Sequence, residues 1–171
     1  MKEKGIDDYL YLAKKMKSKN QNIEFHICGF IEQEYEDVLE NLNENGTIIY
    51  HGMVDDIREV LKDMHCIIHP SRYPEGLSNV LLEAASSGRP IITTDNIGCG
   101  IVVSEQYNNG YIVNSKEELV DAVEMFITLP YEEKKKMGIS SREYVMKNFD
   151  RRIVVNKYLE RIARIQNEKK S

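Results

Sequence analysis

The sequence predicts an α/β fold, a doubly wound open parallel sheet, on three observations. Short apolar runs alternate with amphipathic helical stretches through the first two thirds of the chain. The runs are nearly continuous, as in Ile91-Ile92, which is the pattern of strands covered on both faces. Each run also ends in a turn signal: Gly29, Gly52, the segment 70–76, or 95–100. Right-handed crossovers then place those ends on one edge, where sheets of this kind bind ligands.

The elements follow in order. Residues 6–19 carry Ile6, Tyr9, Leu10, Ala13 and Met16 at helical spacing, and 23–28 reads as a strand stopped by Gly29. Residues 34–45 are helical through Val38, Leu39 and Leu42, with Asn45-Gly46 as the stop. A strand over 47–50, a short helix over 54–64 and a strand over 66–69 come next, the last closed by Pro70. The helix over 78–87 is capped by Gly88, and Pro90 opens the strand at 91–94. A loop with Gly98 and Gly100 leads to a short element near Val102-Val103, then Asn109-Gly110 turns into a strand at 111–113. From Lys116 three helices follow, broken near Pro130 and at 148–150. With 171 residues, the economical reading is one domain over 1–171, completed by these C-terminal helices.

Composition narrows the function classes. A net charge of -5 argues against a general nucleic-acid binder. No apolar run reaches the roughly 18 residues of a transmembrane helix, and no signal peptide is visible, so the expectation is a cytoplasmic protein. Cys28, Cys66 and Cys99 lack CxxC spacing and read as reduced thiols, the first two in strands. His65 and His69, on a strand, would stand about 13 Å apart, too far for one zinc ion. For His69, at a strand end, a place at the cleft border is the minor reading, and His26 and His51 read as structural. No metal is expected.

The informative stretch is 73–84, which carries Glu75 and Glu83 around Gly76 and the opening of an apolar helix. Gly76 lets the main chain approach a ligand. The N–H groups of the first turn, around Leu77, Ser78 and Asn79, form an anion site aided by the helix dipole. Glu83 lies about 7.5 Å along the axis. Two carboxylates so separated suit two hydroxylated parts of one extended ligand with phosphates between, each contact contributing about 1.5–3 kcal/mol. The phosphates require cations, for which Lys4 and Arg72 are the candidates. An exposed loop acid and a solvated helix acid is the plain alternative. Against it, the apolar neighbours of Glu83 predict a site where an unpartnered acid is costly.

Glu75, seven intervening residues, Glu83 and then residues 84–92 resemble the signature of retaining nucleotide-sugar glycosyltransferases of the GT-B fold, group 1 or family 4 type. Lys4-Gly5, residues 25–29, 50–54, 69–71, 96–103 and 108–111 extend the resemblance over nearly the whole chain. It implies a Rossmann-like carboxyl-terminal half that binds a nucleoside-diphosphate sugar, with no cofactor and no metal. Glu75 would be the catalytic residue, holding donor-sugar hydroxyls, and Glu83 would hold the ribose. Gly76, Leu77, Ser78 and Asn79 would meet the diphosphate, Lys4 would neutralise it, Gly29 would border the donor, and Met53-Val54 would face the base. The reaction implied is transfer to a hydroxyl acceptor with retained anomeric configuration, in bacterial surface polysaccharide or glycoconjugate synthesis.

The chain also departs from the family. Its upstream arginine, its first strand and its N-terminal acceptor domain are absent, so an inactive fragment is expected, whose partner is that domain. A non-catalytic nucleotide-binding, regulatory or partner-binding module is the alternative reading. A sugar-phosphate isomerase or epimerase ranks below both for want of an acid–base pair. Gly98-Cys99-Gly100 is expected to be a flexible loop beside the sugar, not a dinucleotide fingerprint. The basic stretch after Asp150, with Val154, Tyr158, Ile162 and Ile165 on one face, is expected to pack across the domain; peripheral contact with an anionic membrane, at its inner face, is the second reading.

Overall fold

The computed structural model describes residues 2–19, 22–74 and 76–168. After a 3-10 turn at Lys2–Lys4, the order is α1 (Ile6–Lys19), β1 (His26–Ile27), α2 (Glu36–Glu44), β2 (Ile49–Tyr50), α3 (Arg58–Leu61) and β3 (Ile67–His69). Then come α4 (Asn79–Ser86), β4 (Ile91–Thr94), α5 (Ile97–Gly100), β5 (Gly110–Val113), α6 (Lys116–Thr128), α7 (Tyr131–Asn148) and α8 (Arg151–Glu168). Every strand pair is parallel.

The helix of 6–19 has the predicted bounds, and its first turn holds Asp7 and Asp8 while Lys17 and Lys19 close it, as the helix dipole favours. β4 likewise has the predicted bounds. All four of its residues are buried, and Ile91 and Ile92 enter different apolar clusters. Adjacent strand residues point to opposite faces, so β4 is covered on both. One cluster joins α1, α2 and α6; the other joins Leu81 and Ala85 of α4 to Cys99, Val102 and Val145.

The α/β class with parallel strands is as predicted, with the sheet in two pieces among the described residues, β1-β2 and β3-β4-β5. Three local expectations are corrected. The loop at 95–100 folds as α5, because Asn96 Oδ1 accepts from Cys99 N–H at 2.9 Å and caps it, and Gly98 and Cys99 are buried. No regular element forms at Val102-Val103; a 3-10 turn at Glu105–Tyr107 follows instead. α8 buries none of its residues, so it does not pack across the core described here.

Close main-chain approach explains two glycines. A Cβ on Gly110 would stand 2.0 Å from Ile91 O, and one on Gly138 2.2 Å from Gly88 O. The left-handed residue of the turn before β5 is Asn108, with φ 47°. Asn109 beside it is fully buried, donating to Val102 O at 3.0 Å and accepting from Ser104 N–H at 2.7 Å.

Candidate functional site

The site is assembled at the carboxyl ends of β3 and β4. β3 stops at Pro70, and the chain beyond it is tied down from two sides. From β4, Thr93 Oγ1 donates to His69 O at 2.8 Å, and Thr94 Oγ1 donates to Ser71 O. Asn96 Nδ2 donates to the same Ser71 oxygen at 2.9 Å. From the N-terminal turn, Glu3 O accepts from Arg72 N–H at 3.0 Å and Tyr73 N–H at 3.1 Å.

α4 then starts at Asn79, with extended Ser78 as its N-cap residue. The Ser78 hydroxyl does not cap the helix; it is buried and has no hydrogen-bond partner among the described residues. Ser78 N–H donates to Gly98 O at 3.0 Å. The first intrahelical donor is Leu82 N–H, to Ser78 O. The predicted donor set therefore moves along by a residue: Ser78 N–H is engaged by α5, and the N–H groups of Asn79, Val80 and Leu81 precede the first intrahelical bond. Gly76 and Asn79 are exposed, Leu77 is 40% exposed, and nothing lies within 4 Å of where a Gly76 Cβ would be.

Glu83 is exposed. Leu81, Ala84 and Ala85 are buried on the rest of the helix, so the desolvation argument from its apolar neighbours does not hold. Glu83 and Lys4 both line a groove of about 620 Å3 between the two sheet pieces. Lys4 Nζ lies 5.3 Å from the Tyr73 ring centroid, a cation–π contact. Arg72, the second candidate cation, is bound to Asp8, with Nη2 and Nε 2.7 and 3.0 Å from Oδ2. Glu75 lies outside the described residues.

A second group sits at the ends of β1 and β2. Gly29 has φ 125°, donates its N–H to Gly52 O at 2.8 Å and accepts from Tyr50 Oη at 2.7 Å. Met53 is 76% exposed and Val54 half-buried. The predicted residues thus fall into two sets on the carboxyl edge, one on each side of the groove.

His26 and His51 stack, with ring centroids 5.1 Å apart and Nδ1 of His26 2.8 Å from Nε2 of His51. Burial, and then the neighbouring His26, lower the His51 pKa. Among the described residues no group of three His, Cys, Asp or Glu side chains is placed to hold a metal ion. The three cysteines are free thiols; burial pushes Cys66 up to about 12 and raises Cys28 as well.

Sequence reasoning missed Thr94, Asn96 and Glu3. Asn96 had a legible signal, a capping residue three positions ahead of Cys99. Glu3 acts through its main-chain carbonyl, for which side-chain chemistry carries no signal.

Known proteins share this fold. The glycosyl transferases group 1 family matches residues 1–144. Over 95% of its length the chain is 26% identical to N,N'-diacetylbacillosaminyl-diphospho-undecaprenol alpha-1,3-N-acetylgalactosaminyltransferase of Campylobacter jejuni, of which it spans 42%. HepE of Anabaena in complex with UDP-glucose superposes with a TM-score of 0.78 at 18% identity, over 95% of this chain and 46% of that one. The C-terminal domain of LpcC, a glycosyl transferase group 1 family protein of Francisella tularensis, gives 0.72 at 20% identity, over 88% of this chain and 82% of that one. The structural neighbours are GT-B glycosyltransferases with Rossmann-like domains. The chain spans less than half the length of the curated relatives it matches. Among the described residues no helix is long and apolar enough to cross a membrane. By the match over most of its length, the chain belongs to the glycosyl transferases group 1.

Proposed function

We propose that this chain is the donor-binding half of a glycosyltransferase that moves a sugar from a nucleoside diphosphate to a hydroxyl acceptor with retained configuration. The observation that carries the reading is the start of α4. Its N-cap hydroxyl makes no capping bond, its first-turn N–H groups have no intrahelical partners, and Lys4 and Glu83 line one groove beside it.

Asn79, Val80 and Leu81 supply N–H donors to the diphosphate, with Gly76, Leu77 and Ser78 shaping the approach. Lys4 offsets the phosphate charge that the helix terminus, equivalent to about half a charge, leaves over. Glu83 accepts from the ribose hydroxyls, and Glu75 from those of the donor sugar. Met53 and Val54 cover the base and Gly29 gives it room. The leaving phosphate assists the incoming hydroxyl without a metal, and the acceptor comes from an N-terminal domain of a longer protein. HepE bound to UDP-glucose supports a nucleotide-sugar, and the diphospho-undecaprenol in the name of the Campylobacter relative supports a lipid-linked acceptor.

Titration calorimetry of this chain with UDP, GDP and ADP tests the reading. One of the three is expected to bind with a Kd between about 1 μM and 1 mM, and Glu83→Ala to weaken it about tenfold. Absence of binding by all three overturns it.

A further inference from the structure

The face of β1 and β2 turned away from α1 and α2 carries side chains that the donor site does not use. Phe25, Ile27 and Ile48 are buried in the cluster that joins α1, α2 and α6, and Tyr50 packs against it. Neighbouring strand residues point to opposite faces, so Glu24, His26, Ile49 and His51 stand on the other side. None of these four enters either apolar cluster. His26 lies opposite Ile49 in the parallel ladder, which places His51 one diagonal step away on the adjoining strand.

The two rings meet nitrogen to nitrogen. His26 Nδ1 and His51 Nε2 are 2.8 Å apart, with the ring planes 13° from parallel. Behind His26, Glu24 Oε2 lies 3.3 Å from Nε2. A carboxylate only accepts, so it takes the Nε2–H of His26 and leaves Nδ1 as the lone-pair nitrogen, to which His51 Nε2–H donates. Moving the His51 proton from Nε2 to Nδ1 releases no net proton and makes lone-pair donors of both facing nitrogens.

Such a pair suits a metal ion. Metal–imidazole bonds of about 2.0–2.1 Å require nitrogens about 2.8–3.0 Å apart at a right angle and about 3.3–3.4 Å apart at the tetrahedral angle. The observed 2.8 Å meets the first and falls about 0.5 Å short of the second. The terminal torsion of histidine is a broad well, so a swivel of each ring turns the lone pairs from one another to a shared point. Glu24 on the far nitrogen is the outer carboxylate that fixes a metal-binding tautomer and raises the basicity of the ligand. His51 is exposed, which opens the remaining coordination positions to water.

We propose that His26 and His51 form a two-histidine site for a divalent late transition-metal ion, with Cu(II) and Ni(II) best suited to its spacing, Glu24 as outer acceptor and water completing the shell. Among the described residues no group of three His, Cys, Asp or Glu converges on one ion, so the metal is exchangeable and not a structural clamp. His26 lines the groove shared by Lys4 and Glu83, and His51 does not. The ion takes no part in sugar transfer, and the site does not depend on the donor reading.

Titration calorimetry with Ni(II), which leaves thiols unoxidised, tests the site on the 171-residue chain free of any affinity tag. One equivalent is expected to bind at pH 7.5, His26→Gln and His51→Gln each to weaken it at least tenfold, and Glu24→Gln to weaken it about tenfold. Mg(II) is expected to give no heat. Ni(II) affinity is expected to fall at least about tenfold between pH 7.5 and 5.5, where protons compete for both rings. If a histidine variant does not fold, substoichiometric paramagnetic Ni(II) must broaden the ring NMR signals of His26 and His51 in the unaltered chain before those of His65 and His69. No binding of Ni(II) overturns the proposal. So does full affinity in either histidine variant, which places the ion elsewhere, or equal binding of Mg(II), which marks an oxygen site.

Discussion

The main-chain N–H of Ser78 donates to the carbonyl oxygen of Gly98 at 3.0 Å. This bond joins the N-cap of α4 to α5, so the segment after β4 fixes where α4 begins. Asn96 holds both parts, capping α5 through Oδ1 and reaching Ser71 O through Nδ2.

Asn96→Ala is therefore expected to lower stability by about 1 kcal/mol, the usual cost of a lost N-cap. On the donor reading it also weakens nucleotide affinity, because Gly98 and Ser78 are released together. Urea unfolding and calorimetry on the same variant read the two effects. An unchanged urea midpoint would show that the cap contributes nothing.

Lys4 and Arg72 are separated by their contacts. Arg72 is engaged by Asp8 in an ion pair with an exposed arginine, for which a contribution of about 0.2–1 kcal/mol is usual. Arg72→Ala is expected to cost that much and to leave nucleotide affinity unchanged. Lys4→Ala is expected to weaken affinity several-fold, with the loss shrinking as salt is added. Affinities measured at two salt concentrations check both, and equal losses in the two variants would return Arg72 to the phosphate site.

Gly138 sits within α7, where alanine would ordinarily favour the helix by about 1 kcal/mol. Here a Cβ meets Gly88 O at 2.2 Å, and Gly88 itself holds φ 72° at the end of α4. Gly138→Ala is expected to destabilise by about 1–3 kcal/mol, as overpacking does. A higher midpoint in thermal unfolding would show that α7 and α4 can separate at no cost.

The legible and illegible parts of the fold differ in physical kind. The bounds of α1 and β4 were readable because Ile6, Leu10, Ala13 and Met16, like Ile91 and Ile92, are placed by burial alone. β1 and β2 shrank from the predicted 23–28 and 47–50 to two residues each, and β1 faces the groove along one edge. Strand length depends on a neighbour, which the local pattern does not encode. The position of the 73–84 stretch after β3 was readable from Pro70, Gly76 and the apolar helix. The pinning of that stretch by Glu3 and Thr94 was not, since it joins residues far apart in sequence through main-chain oxygens. α8 shows the limit most plainly. Val154, Tyr158, Ile162 and Ile165 announce an apolar face, yet all four are exposed, because periodicity specifies a face and not what covers it.

The last prediction concerns His51. Its folded pKa lies below the ordinary 6.5, first because burial disfavours the charged ring and then because His26 stacks beside it. Glu24 Oε2, 3.3 Å from His26 Nε2, is the acid facing this pair. A histidine with a lowered folded pKa contributes stability that is fully present above the unfolded pKa, where both states are neutral. As pH falls below about 6.5 the unfolded chain takes up the proton first, and stability drops until the folded ring titrates as well. The urea midpoint is therefore expected to fall between pH 6.5 and 5, and His51→Gln to flatten that slope. The same slope in the variant would place the titrating group elsewhere than at His51.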